Sequence, residues 1–159
     1  MKNDTKRIEE ILASVKPLAA EYYRLTGKPL GVTGEVAEYV AAQKLKLTLV
    51  PPRTSGHDAI RKTARGDERI QIKGRAFGET SKRSQRIGSI KAGAACDKVI
   101  LVLLENTTLE PIEMREATYK DVMDHLEKPG SRARNECGSM SVSAFKRISL
   151  PIWPVTELS

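Results

Sequence analysis

Six consecutive large aliphatic residues, Val99-Ile100-Leu101-Val102-Leu103-Leu104, stand between Lys98 and Glu105. A β-rich apolar run of this length, with no polar alternation, predicts a central strand buried on both faces. Such a strand demands packing layers on both sides of its sheet. The chain has material for them, since 40% of its 159 residues are apolar, enough for the core of a single domain.

Residues 5–26 predict an amphipathic helix. Ile8, Ile11, Leu12, Val15, Leu18, Ala19, Tyr22 and Leu25 follow the three-to-four spacing of one buried face. Asp4 or Thr5 is placed to cap it, and Pro17 predicts a kink or break near Lys16. Gly27, Pro29 and Gly31 end the helix and turn the chain. A second helix over 33–45, with Thr33 as its cap, carries Val36, Ala37, Val40, Ala41 and Leu45 on its apolar face. Leu47–Val50 reads as a short strand stopped by Pro51 and Pro52. His57–Ile60 and Arg69–Arg75 predict a hairpin about the turn Arg65-Gly66-Asp67-Glu68. Residues 76–95 read as a basic loop with room for one helical turn. After the apolar strand come an edge strand over Pro111–Thr118, a helix over Tyr119–Lys128, a loop at Pro129–Ser131, and a last helix over Val142–Ile148 near Ser141 or Ser143. Pro151 and Pro154 exclude helix from the tail. This order predicts one α/β domain, a mixed central sheet of about four to five strands flanked by helices. Its parts are a helical segment over 1–30, a core over 31–105 and a strand and helix extension over 106–159.

Charge narrows the partners. The net charge is +7, and the window 61–91 carries all of it, with ten basic residues against three acids. A polyanion is the natural partner of such a stretch, because phosphate neutralisation releases counterions. A solvated basic loop is the simpler alternative. Aromatic residues are only 4%, which argues against single-strand binding by base stacking. No apolar run is long enough for a membrane span, and the N-terminus lacks the apolar stretch of a signal peptide. Cys96 and Cys137 make no disulfide framework and no Cys-x-x-Cys motif, which points to a reduced, cytoplasmic protein without structural zinc.

Four residues carry candidate chemistry. Glu35 lies at the start of the second helix, Asp58 opens the first hairpin strand, and Gln71 and Lys73 share one face of the second, with Ile70 and Ile72 turned to the core. A hairpin folds Asp58 back against Gln71. Carboxylate and amide oxygens are hard ligands suited to magnesium, and a lysine beside such a cation can orient water or neutralise a phosphate.

At these residues the chain resembles the PD-(D/E)xK nuclease superfamily, which has the restriction-endonuclease-like fold. The matching elements are Gly31-x-x-x-Glu35, Ser55-Gly56-His57-Asp58-Ala59 and Gln71-Ile72-Lys73-Gly74-Arg75. The run is most similar to a group of small, largely uncharacterised bacterial proteins of that fold, as is the late segment Ser141–Ile148. The resemblance implies that Asp58 is the metal-binding acid, that Gln71 replaces the usual Glu or Asp, that Lys73 is the catalytic lysine, and that Glu35 is an additional helix ligand. It also implies that the Ile72 carbonyl faces the cation, Mg²⁺ or Mn²⁺. The chain would then be a metal-dependent nuclease acting on DNA, with Arg75, Lys82, Arg83 and Arg86 along the phosphate backbone and a homodimer as its form for cutting two strands. His57 stands where the family's proline would be, and neutral Gln71 removes one negative charge from the site.

Simpler roles exist for each residue. Asp58 after glycine suits a turn, Glu35 suits a helix N-terminus, and Glu38 is the alternative helix acid. Asp97 reads as structural, His57 as a loop residue, the two cysteines as ordinary thiols, and Tyr22, Tyr23, Phe145 and Trp153 as packing groups. The rival functions are a catalytically silent nucleic-acid-binding module on the same fold and an accessory protein whose basic window meets an acidic partner.

Overall fold

The computed structural model describes residues 2–28, 30–79, 81 and 85–155. The apolar run is strand β4 (Lys98–Glu105), and its six aliphatic residues are all buried. Alternation divides them between two cores. Ile100, Val102 and Leu104 join Val36, Ala37, Val40, Ile70 and Ile72 on one face, while Val99, Leu101 and Leu103 join Val122, Val142 and Phe145 on the other.

The sheet has six strands in consecutive order: β1 (Thr48–Leu49), β2 (Ala59–Thr63), β3 (Gly66–Phe77), β4, β5 (Pro111–Thr118) and β6 (Leu150–Trp153). Only β3 and β4 are parallel, so the sheet is mixed. It exceeds the expected four to five strands because the tail, read only as non-helical, forms β6. Pro151 sits opposite Arg115 in this outermost strand, where a missing N–H is tolerated. β5 is therefore an interior strand, contrary to the expectation of an edge.

Helix α2 (Thr33–Leu45) buries Val36, Ala37, Val40 and Ala41. It seats on β3 at Gly74, where a Cβ would lie 2.4 Å from the Ala37 Cβ and 2.9 Å from the Thr33 carbonyl oxygen. That contact sets the first turns of α2 directly against β3. Thr33 is the first helical residue rather than the cap; Val32 holds the cap position without a side-chain bond. The second face carries α3 (Tyr119–Glu127), the single turn α4 (Arg132–Asn135) and α5 (Val142–Ile148). Ser141 caps α5, its hydroxyl accepting from the Ala144 N–H at 3.1 Å. The turn α4 falls in a stretch with no apolar periodicity, which is why no element was expected there.

Helix α1 (Lys2–Thr26) departs most from expectation. It runs through Pro17 as one helix of 25 residues, and Asp4 and Thr5 lie inside it. Of the face expected to be buried, Ala19 is buried and Leu12 and Val15 are half-buried. Ile8, Ile11, Leu18, Tyr22 and Leu25 are 40–74% exposed. The helix is turned so that the line through Leu12, Lys16, Ala19 and Tyr23 meets the body, with Lys16 paired to Glu110 at 2.7 Å. No helix among the described residues is long and apolar enough to cross a membrane.

The parallel pair requires a crossover, and residues 78–97 provide it without a helical turn among those described. The segment 85–90 lies antiparallel to 138–142. Ile87 N–H donates to Met140 O (3.0 Å), Ile90 N–H to Gly138 O (2.9 Å) and Val142 N–H to Gln85 O (2.8 Å). Ile87 and Ile90 are buried there, so this part of the basic loop is fixed to the second core.

Candidate active site

Asp58 is the last residue joined to β3 before β2 and β3 part. Its N–H donates to Ile70 O at 2.8 Å and its carbonyl accepts from Val50 N–H at 3.0 Å. The ladder pairs Ala59 with Ile70, so Asp58 stands one step further on, opposite Gln71. Its carboxylate then replaces a strand, with Oδ2 accepting the Ile72 N–H at 2.7 Å. Beyond Ile72, β3 is paired only with β4. A notch thus opens beside β3, next to the first turns of α2.

Ile70, Ile72 and Gly74 face α2, and Gln71, Lys73 and Arg75 alternate with them. The Gln71 Oε1 is buried and has no hydrogen-bond partner. Leaving such a group unpaired costs about 1–3 kcal/mol, so a ligand with positive charge or a donor is the natural occupant beside it. Lys73 lies against the crossover, its Cδ 3.9 Å from where a Cβ on Gly88 would sit.

The helix acids differ. Glu35 is exposed, whereas Glu38 is half-buried and its carboxyl is pushed up to about 7. Burial is the largest cause, followed by the charges of Asp58 and Glu35, with Lys73 pulling the other way. Helical geometry explains the contrast. At 100° per residue, Glu38 stands about 130° from the centre of the apolar face of α2 and Glu35 about 170°. The alternative acid is therefore the one drawn toward Asp58 and Lys73, a distinction available from the sequence by that angle alone.

The neighbouring loops brace this corner. Gly56 has φ +89°, and a Cβ there would lie 2.7 Å from Ala95 N, so only glycine lets the two loops touch. Asp97 receives Arg69 through Nε (3.0 Å), Nη2 (3.0 Å) and the main-chain N–H (2.8 Å). These bonds hold its carboxyl down at about 2, and its role is structural. Cys96 is buried beside Gln71, and burial pushes its thiol up, as suits an inert packing group. The His57 Nδ1 is buried without a partner at the same corner.

The expected phosphate-contacting residues fare unequally. Arg75 is half-buried, with Nε unpartnered. Arg86 is committed elsewhere: Nε donates to Ser139 Oγ at 3.1 Å and Nη2 to the Ser139 carbonyl. It ties the crossover to the segment before α5 and is not held out as a backbone clamp. Lys82 and Arg83 lie outside the described residues.

Among the described residues, no three histidine, cysteine or carboxylate side chains converge as a metal-ligand set. A cation at Asp58 therefore depends on the Gln71 amide and main-chain oxygen. The orphaned Gln71 oxygen suits a hard divalent ion, and the mutual charge of Glu38 with Asp58 and Glu35 favours a cation near them, although their side chains do not converge as a ligand set. No family model and no curated protein matches the chain.

Proposed function

We propose that the chain is a cytoplasmic, divalent-metal-dependent nuclease that hydrolyses phosphodiester bonds in DNA. The reading rests on one observation above the others: Gln71, whose buried Oε1 has no partner, occupies the strand position across from Asp58, and Glu38 lies close enough to Asp58 and Lys73 to feel the charge of both. Asp58 and Gln71, with Glu35 or Glu38, would hold Mg²⁺ or Mn²⁺, which supplies Lewis acidity toward a phosphodiester. The Lys73 ammonium donates to a non-bridging phosphate oxygen and offsets the charge that builds there during attack. Where Glu35 is the ligand, Glu38, placed near Asp58 and Lys73, would be free to accept a proton from water at its carboxylate. Asp58 keeps its orientation because the Ile72 N–H fixes Oδ2. Arg75, with Lys82 and Arg83, would follow the phosphate backbone, and such contacts carry no base sequence. A homodimer would serve cutting of both strands.

A second reading is a silent DNA-binding module, favoured by the neutral Gln71. One experiment separates the two. Supercoiled plasmid, single-stranded DNA and a branched junction are incubated with Mg²⁺, Mn²⁺ or EDTA, using wild type, Asp58→Ala and Lys73→Ala. The nuclease reading expects metal-dependent cutting that both variants abolish while DNA retardation persists. Retardation in EDTA without cutting under any metal refutes it in favour of the silent module.

A further inference from the structure

The oxygens that β2 and β3 bring to the notch are few and carry little charge. Asp58 Oδ2 already accepts the Ile72 N–H at 2.7 Å, which leaves Oδ1 as its free oxygen. A strand residue sends its N–H and C=O to the same side, so the Ile72 carbonyl opens toward Asp58 as well. Gln71, across the ladder from Asp58, adds the buried amide oxygen that no donor meets. Of these three oxygens only that of Asp58 is charged. Among the described residues, no set of three carboxylate, histidine or cysteine side chains closes around them.

Formal charge makes the shortage specific to this chain. Asp58 with either Glu35 or Glu38 balances a divalent ion, but Lys73 lies within reach of the same Glu38 that feels Asp58. One positive charge is then left over. A carboxylate at position 71 would cancel it, and the Gln71 amide does not. A phosphodiester supplies both missing things, one negative charge and further hard oxygens, and substrate phosphates commonly complete magnesium sites in this way. We propose that neutral Gln71 makes cation binding and DNA binding mutually dependent in this protein, each tightening the other, with the ion held weakly when DNA is absent. On the nuclease reading, on which this rests, the metal is recruited by the substrate rather than carried by the protein. Linkage makes the effect reciprocal: the ion tightens DNA by the same factor as DNA tightens the ion.

Binding of Mn²⁺ tests it without any need for turnover. Uptake is read from loss of the free ion's electron paramagnetic resonance signal, using the full chain alone and with a phosphorothioate-linked DNA duplex that resists cutting, the duplex alone serving as blank. Wild type should take up Mn²⁺ about 10- to 100-fold more tightly with DNA than without it. In fluorescence anisotropy, Mn²⁺ should tighten the duplex on wild type and weaken it on Asp58→Ala, where the ion only competes for phosphates. Gln71→Glu should bind Mn²⁺ about tenfold more tightly than wild type without DNA, and its further gain from DNA should shrink. The wild-type comparison decides the matter even where that variant folds poorly. Equal Mn²⁺ affinity with and without DNA overturns the proposal and leaves the nuclease reading standing. A folded Gln71→Glu that gains no Mn²⁺ affinity does the same. DNA bound with no Mn²⁺ uptake, and plasmid left uncut, removes the nuclease reading and the proposal with it.

Discussion

Glu38→Gln is the substitution whose outcome the site geometry determines most fully. In the folded chain the Glu38 carboxyl is raised from 4.5 to about 7, first by burial and then by Asp58 and Glu35. The native state therefore binds this proton more tightly than the unfolded chain does. Stability from this group is present below pH 4.5, falls as pH rises, and is fully lost above pH 7. A shift of about 2.5 units corresponds to a ceiling of about 3.4 kcal/mol, at 1.36 kcal/mol per unit. Glu38 is only half-buried, so solvent screening brings the expected effect to about 1–2 kcal/mol. Glutamine keeps the shape and removes the charge. In EDTA, urea unfolding should find Glu38→Gln more stable than wild type by that amount at pH 8 and equal to it near pH 4. Taking the difference between the two proteins cancels the titrating groups that are not coupled to Glu38. Mg²⁺ at pH 8 should stabilise wild type and do less for the variant. Parallel stability curves from pH 4 to 8 would refute the reasoning, since Glu38 would then feel neither burial nor its acidic neighbours.

Two further outcomes follow from the packing around the notch. Gly74→Ala must push α2 off β3, at a cost of about 1–3 kcal/mol in thermal unfolding, and on the nuclease reading cleavage falls further than stability because Glu38 and Lys73 separate. An unchanged melting temperature would show that the close approach is not required. Asp97→Asn should destabilise by about 1 kcal/mol at neutral pH. Its carboxyl is depressed from 3.8 to about 2, so that contribution exists above 3.8 and disappears as pH falls through 2, where variant and wild type should converge in chemical unfolding.

The centre of the fold was legible because its constraints are local. The unbroken aliphatic run of β4 admits only a doubly covered strand, and the alternation Ile70-Gln71-Ile72-Lys73 sorts side chains by itself. The hairpin itself was legible but its turn was not: the chain turns at Thr63–Gly66 rather than over Arg65–Glu68, and that shift sets Asp58 opposite Gln71 instead of Arg75. What failed to show was relational. The α1 pattern announces an apolar face without saying which surface covers it, and the helix turned the line through Leu12, Lys16, Ala19 and Tyr23 inward instead. Pro151 hid β6, because proline argues against a strand unless the strand is known to be outermost. Arg86 read as a free cation because its partner, Ser139, arrives from fifty-three residues further along the chain.

The two outer strands also bear on how the protein behaves when concentrated. One is the two-residue β1, followed immediately by Pro51 and Pro52; the other is β6, with Pro151 inside it. Neither presents a long, regular row of unpaired donors on which a foreign strand could template. The sheet is thus closed to growth at both borders by imino acids rather than by a covering element. An aliphatic centre that would be hazardous on a fibril-forming border is kept two strands in from one border and three from the other, behind outer strands too short and too interrupted to serve as a template.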